Sequence, residues 1–425
     1  MQKKNHPKAD KQNARGNRAP ALALHGGKPV RTKPLARHCL GANLIGREEM
    51  ELLRGVIHSR CLFRHNQGGG HMVGTFEKEL RDFLGVPFAL ATSSGSGALS
   101  CAMMAFGVGR GDEVVIPAFG WVSDYNVVAL AGATPVIAEI DDSLNLNPES
   151  FEACITRRTK AVIVVHYQGA ASRLDEIVAI ARRHGIAVIE DVAQAIGGTF
   201  RGRKLGAWGD AAIFSLQYNK VICSGEGGAF VTKEQELYER AVRAHDLGML
   251  RPVFKNNLRK PAMTRAFPGF QWRMNELTGA VALAQLRKLP AILEAVKVRC
   301  AELRGILASE FPRIKFRDVR PENDIGIVIE MDLGGAENVR RFREAYEAEG
   351  LIFGATSGCG TLTKFEAVVA TLGKRAAKAR RTFEKSSALE GKMAGIAVLP
   401  VYSSKDMRDI AAGAVKVIRG LGLMP

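Results

Sequence analysis

No stretch of this chain approaches the roughly 20 consecutive apolar residues that a membrane-spanning helix needs. The opening segment, MQKKNHPKADKQNARGNRAP, lacks the apolar core of a secretory signal. Both absences favour a soluble, cytoplasmic protein with no membrane partner. A transit peptide is the weaker reading of the same segment, because serine is missing from it and Asp10 is present. The seven cysteines, Cys39, Cys61, Cys101, Cys154, Cys223, Cys300 and Cys359, include no CxxC pair and no Cys/His cluster at metal spacing. Their odd number and scatter exclude a disulfide scaffold and predict reduced, mostly buried thiols and no metal site. Internal repeats are absent too, which excludes a solenoid.

The composition, 46% hydrophobic and 24% charged, is that of a folded globular protein. At 425 residues the chain exceeds what one hydrophobic core usually supports. We expect a disordered basic tail over 1–20, a large domain over 21–290 and a small C-terminal domain over 291–425. The net charge of +17 raises the question of nucleic acid. Its basic runs, RRTKAVIV, LRKP and KRAAKARR, have no interleaved aromatics, so no nucleic-acid partner is expected. Solvated surface and long-range attraction of an anionic cofactor or substrate explain the charge better.

Between residues 88 and 232 short apolar runs alternate with helix-like segments, as in βαβ units. FALATSS, DEVVIPA, ATPVIAEI, TKAVIVVHY, IAVIEDV, DAAIFSL and GGAFVT read as strands. ALSCAMMAFGV, DYNVVALAG, DEIVAIARRHG and the segment after Thr232 read as helices. A helix over about 275–305, interrupted at Pro290, leads toward later strands in KFRDV, IGIVIEMDL and GIAVLPV. The expected fold is α/β, a three-layer α/β/α sandwich around a mostly parallel sheet, with a smaller C-terminal α+β domain.

Four segments stand where strands hand over to loops or helices, the place where open α/β sheets bind ligands. In SSGSGALSCAMM, small residues precede a helix whose first amides can face a phosphate; a plain helix entry capped by Ser94 or Ser96 is the alternative. In VIPAFGWVSDYN, Phe119 and Trp121 follow a strand, and such a ring either stacks on a flat cofactor or packs in the core. IAVIEDVAQAIGG ends an apolar strand on Glu190 and Asp191, where a carboxylate needs a cationic partner, unless Asp191 caps a helix. A protonated pyridine nitrogen is such a partner. AAIFSLQYNKVICSGEGG adds Ser215 and, five residues later, Lys220, either a solvated lysine or the Schiff-base lysine of pyridoxal phosphate (PLP). In this order the four supply phosphate cradle, ring stack, pyridinium partner and reactive amine.

From LALHGGKPVRTKPL (22–35) to LRKLP (286–290) the chain resembles the DegT/StrS family of sugar aminotransferases, which has the aspartate aminotransferase fold, PLP fold type I. The resemblance is carried by SSGSGAL, GVGRGDEVVIPAFGWVSDYN, GATPVIAEID, VVHYQGAASRLDEI, VIEDVAQAIGG, GDAAIFSLQYNKVICSGEGG and GFQWRMNEL. It implies PLP as cofactor, Lys220 as Schiff-base lysine and proton shuttle, Asp191 on the pyridine nitrogen and Gln194 near the ring hydroxyl. Trp121 would stack on the ring, Gly95, Ser96 and Ser215 would hold the phosphate, and His166 would stand behind the ring. The family's homodimers share active sites, which implies that Gln271, where asparagine is usual, reaches the phosphate from the neighbouring chain.

The implied reaction moves an amino group from glutamate or glutamine to the ketone or aldehyde of an anionic sugar-like acceptor. That acceptor is a sugar, nucleotide-linked sugar, octulosonate-type acid or cyclitol. Retention of lysine, where a dehydrating branch of the family has histidine, favours transamination over dehydration, decarboxylation or oxidation. A non-catalytic nucleic-acid or regulatory binder is the reading from another class. Arg64, His65, Asn66 and the loop from His245 to Phe267 are the expected substrate contacts.

Overall fold

The computed structural model describes residues 21–36, 39–66, 71–354, 360–373 and 375–423. The expected tail over 1–20 and Cys359 lie outside the described residues. All seven apolar runs between residues 88 and 232 form strands: β1 (Phe88–Thr92), β2 (Glu113–Pro117), β3 (Thr134–Ala138), β4 (Thr159–Val165), β5 (Ala187–Asp191), β6 (Ala211–Ser215) and β7 (Gly228–Thr232). They make one sheet in the order β1-β7-β6-β5-β4-β2-β3. The five strands from β6 to β3 run parallel, while β7 pairs antiparallel with β1 on one side and β6 on the other.

The pattern follows from composition. Val162, Ile163 and Val164 are fully buried in succession, which requires cover on both faces of the sheet and suits a parallel arrangement. Helices supply that cover. In Leu174–His184 the apolar Leu174, Ile177, Val178, Ile180 and Ala181 are buried along one stripe. Asp175 and Glu176 stand in its first turn and Arg182, Arg183 and His184 in its last, matching the helix dipole.

A second sheet of three antiparallel strands, Lys315–Phe316, Val328–Asp332 and Met393–Ala397, lies in the later chain. One helix, Glu276–Glu310, leads toward it and starts at Asn275, whose side chain accepts from the Thr278 amide at 2.9 Å. The interruption expected at Pro290 does not occur. Proline removes one donor and strains one turn, and here Leu286, Leu289, Ile292 and Val296 are all buried around that turn, so packing carries the helix through. A short pairing of Phe119–Gly120 with Gly360–Thr361 brings the later chain back onto the carboxyl end of β2. Among the described residues no helix is long and apolar enough to cross a membrane.

Candidate active site

The carboxyl ends of β2, β5 and β6 and the start of helix α1 (Gly95–Ala105) converge on a cavity of 330 Å³. Its walls include Gly95, Ser96, Trp121, Asp191, Gln194, Ser215 and Lys220. Seven of the nine residues singled out from sequence therefore share one cavity. Ser94, Ser123, Gln217, Asn219 and Glu226, which were not singled out as ligands, line it as well. A larger cleft of 800 Å³ lies elsewhere and is walled by side chains already paired, Arg173 with Asp141 and Glu176 and Arg201 with Asp175. The smaller cavity, which gathers the residues singled out from sequence, is the candidate site.

Helix α1 begins as its sequence suggests. The Ser94 hydroxyl accepts from the Gly97 amide at 2.9 Å, which leaves the Gly95 and Ser96 amides in the helix's unpaired first turn. The two readings of this segment are thus compatible: Ser94 caps, and the next amides face the cavity. Gly95 is required by space, because a Cβ there would sit 2.8 Å from Ser215 Cβ. Gly228 meets the same turn from β7, where a Cβ would fall 2.6 Å from the Gly95 nitrogen. Ser96 Oγ is 2.7 Å from Ser123 Oγ. The close approach of glycine backbone, helix N-terminus and three hydroxyls suits a phosphate group.

Lys220 is half-buried at the end of a turn in which its own amide donates to the Gln217 carbonyl at 2.9 Å and its carbonyl accepts from Gly41 at 3.2 Å. The backbone is fixed at both groups, so the side chain is placed by the turn. Trp121, 43% exposed, meets the Phe365 ring edge-on with centroids 5.5 Å apart. This large apolar ring with an open surface on a cavity wall can take a flat ligand. Gln194 is buried and its Oε1 accepts from the Gln168 amide at 3.2 Å.

β5 presents its two terminal carboxylates to opposite sides, as strand alternation demands. Asp191 faces the cavity and accepts from the Ala193 amide at 2.8 Å. Glu190 points away and is fully buried. It accepts from the amides of Gly206 (2.9 Å), Trp208 (2.8 Å) and Gly209 (2.8 Å), and His166 Nε2 lies 3.1 Å from its Oε2. Burial pushes this carboxyl up, but the interaction with His166 and the hydrogen bonds from the amides outweigh it and hold it below the usual range.

His166 does not line the cavity. Its Nδ1 accepts from the Ser172 amide at 3.2 Å, which assigns the proton to Nε2, the nitrogen that meets Glu190. Both ring nitrogens are used inside the protein, and the residue bears on the site through β5. Gln271 is also outside this cavity, exposed and bridged through its backbone to Asp246.

The expected substrate contacts fare differently. Arg64 is buried against Glu77 at 2.8 Å, and His65 lies 3.3 Å from Asp246, which also holds Arg251 and Arg273. Burial and the charge of Arg64 push the His65 pKa down to about 4. These two side chains are core polar groups of this chain, and only Asn66 of the three is exposed. The residue that sequence reading missed is Asp124, 2% exposed and in hydrogen-bond contact with Asp191. It reads in the sequence as an ordinary acid in the first turn of a helix. Among the described residues no group of three or more His, Cys, Asp or Glu side chains could hold a metal ion.

Residues 44–328 match the model of the DegT/DnrJ/EryC1/StrS aminotransferase family. GDP-perosamine synthase of Caulobacter vibrioides is 39% identical over 229 residues, covering 53% of this chain and 59% of the relative. The aligned part thus spans under two thirds of that relative's length. Among solved structures, DesI, studied in the presence of its TDP-sugar product, has a TM-score of 0.77 at 25% identity, covering 94% of this chain and 97% of its own. NtdA from Bacillus subtilis, with bound cofactor PMP, has a TM-score of 0.77 at 22% identity, covering 92% and 86%. The fold is that of the PLP-dependent aminotransferases, and the chain belongs to the DegT/DnrJ/EryC1/StrS aminotransferase family.

Proposed function

We propose that this protein is a PLP-dependent aminotransferase that moves an amino group from glutamate or glutamine to the carbonyl of a sugar-like acceptor, a nucleotide-linked keto-sugar before the other candidates. The observation that carries the reading is the meeting of Lys220, Asp191 and the α1 N-terminus in one cavity at the strand ends. The fit is chemical as well as spatial. The Gly95 and Ser96 amides with the Ser96 and Ser215 hydroxyls suit the cofactor phosphate, Trp121 its ring face, Asp191 its ring nitrogen and Gln194 its ring hydroxyl. PLP when bound supplies an electron sink for the carbon that loses its proton.

The protein's own groups do the rest. The Lys220 amine anchors the cofactor and, once displaced by the donor, takes the proton from the donor's α-carbon and returns it on the other side of the exchange. The Asp191 carboxylate, fixed by the Ala193 amide, keeps the ring nitrogen protonated. Glu190 and His166, each fully satisfied within the core, hold the end of β5 rigid. The relatives that act on GDP- and TDP-linked sugars support a nucleotide-linked acceptor. The net charge of +17 suits any anionic one.

A homodimer with shared sites accords with the exposed apolar residues Leu62, Phe63, Leu247, Met249 and Phe270, whose segments meet by backbone hydrogen bonds around Gln271, the Leu247 amide donating to the Phe270 carbonyl and the Glu276 amide to the Leu62 carbonyl. Gln271 lies outside its own chain's cavity and is free to serve a neighbour's. The division into domains near residue 290 and a cytoplasmic location belong to the same proposal.

The test is a nitrogen-transfer assay. Protein loaded with PLP is given 15N-labelled glutamate or glutamine, then GDP- and TDP-linked keto-sugars, a cyclitol ketone and an octulosonate-type acid. The label is expected in the product of a nucleotide-linked keto-sugar. A consumed acceptor without label would establish dehydration or another non-transferring reaction, and no cofactor binding would remove the proposal.

A further inference from the structure

Asp124 has no role in the chemistry above, yet it lies in the first turn of helix α2 (Val122–Leu130), three residues after Trp121. It is 2% exposed. Its Oδ1 is buried with no hydrogen-bond partner, and its Oδ2 lies beside Gly120, where a Cβ would meet Asp124 Oδ2 at 3.5 Å and Val165 Cγ2 at 3.7 Å, Val165 being the register partner of Asp191. Glu190, an equally buried carboxylate, is met by three amides and a histidine. Among the described residues Asp124 receives no amide. Its hydrogen-bond contact is a second carboxyl, that of Asp191. Two carboxylates in contact in a desolvated place cannot both ionise, so one must carry a proton that the other accepts.

We infer that Asp124 is a positioning residue for Asp191, a buried carboxylic acid whose proton is donated to the Asp191 carboxylate and fixes it for the ring nitrogen of the cofactor. This rests on the reading of Asp191 given above. The charged groups that act on Asp124 are Asp191 from the end of β5 and Lys220 from the turn after β6. Burial, followed by the charge and hydrogen bond of Asp191, drives its acidity down, and Lys220 opposes them. With Asp124 neutral, the carboxyl pair bears one negative charge rather than two, a match for one pyridinium. The start of α2 then serves the site at three points: Trp121 at the cavity wall, Ser123 at the Ser96 hydroxyl and Asp124 at the Asp191 carboxyl.

Two measurements test this on the full chain, with Asp124→Asn and Asp124→Ala. In the protein without cofactor at neutral pH, the infrared spectrum of wild type minus that of Asp124→Asn should show a protonated-carboxyl stretch, the contribution of Glu330 being common to both and cancelling. Absence of that band from the difference overturns the inference whatever the cofactor does. With PLP as the probe, Asp124→Ala should raise the dissociation constant about tenfold or more, the worth of one hydrogen bond to a charged group. It should also displace the pH at which the visible absorbance changes. Asp124→Asn, which can still donate, should restore most of both. Equal behaviour of the two variants, or no change in either while the wild type binds PLP normally, overturns the positioning role. Failure of the wild type to bind PLP overturns the function proposed above, and this role with it.

Discussion

Replacement of Glu190 by glutamine changes one oxygen to an NH2 group in a fully buried place, and the structure sets the cost. Each carboxylate oxygen has two neighbours: Oε1 takes the Trp208 and Gly209 amides, and Oε2 takes the Gly206 amide and His166. Whichever way the glutamine amide lies, its NH2 faces two donors. If the NH2 meets His166, the imidazole can relieve one conflict only by moving its proton to Nδ1, which then confronts the Ser172 amide donor. Two buried donors are thus stranded at about 1–3 kcal/mol each, a loss of about 2–6 kcal/mol. Chemical denaturation of the cofactor-free protein, followed by circular dichroism, reads this loss directly.

The pH dependence has a definite sign. A carboxyl whose folded pKa is depressed contributes stability in full above its unfolded pKa, near 4.5, and loses it as pH falls through the folded value. The deficit of Glu190→Gln should therefore be constant above about pH 5 and shrink below it. A variant as stable as the wild type at neutral pH, or a deficit that grows on acidification, would refute the arrangement described for β5.

Three further expectations follow from named contacts. Gly95→Ala forces a Cβ to 2.8 Å from Ser215 Cβ and 3.2 Å from its Oγ. A cost of about 1–3 kcal/mol in the unfolding free energy and weaker PLP binding by equilibrium dialysis are expected. Gly55→Ala is its control: it lies in the helix Arg47–Ser59 with nothing within 4 Å of the new Cβ, and should stabilise the protein by about 0.5–1 kcal/mol. At Glu330 burial raises the pKa to about 7 against the pull of Arg317, so the wild type loses stability as pH rises from about 4.5 to 7. Glu330→Gln should match it below that window and exceed it above by up to about 3 kcal/mol, read as a melting temperature across pH.

The strands were legible because parallel strands buried on both faces appear as unbroken apolar runs such as AVIVV, and the helix starts because Ser94 and Asn275 are the residues that cap. The cavity was legible for a related reason, since its residues sit at strand ends in chain order. What remained hidden depends on partners distant in sequence. Arg64 read as a substrate contact because nothing local announces Glu77, and Asp124 drew no reading because nothing local announces Asp191. Pro290 read as a break because the buried neighbours that carry the helix past it are a property of packing.

The central claim is that Lys220 holds the cofactor. Incubation with PLP followed by borohydride reduction and peptide mass spectrometry tests it most directly. Wild type should show a visible absorbance band and, after reduction, the pyridoxyl mass on the peptide containing Lys220, while Lys220→Ala shows neither. A band that survives Lys220→Ala, or the mass on another lysine, would contradict it.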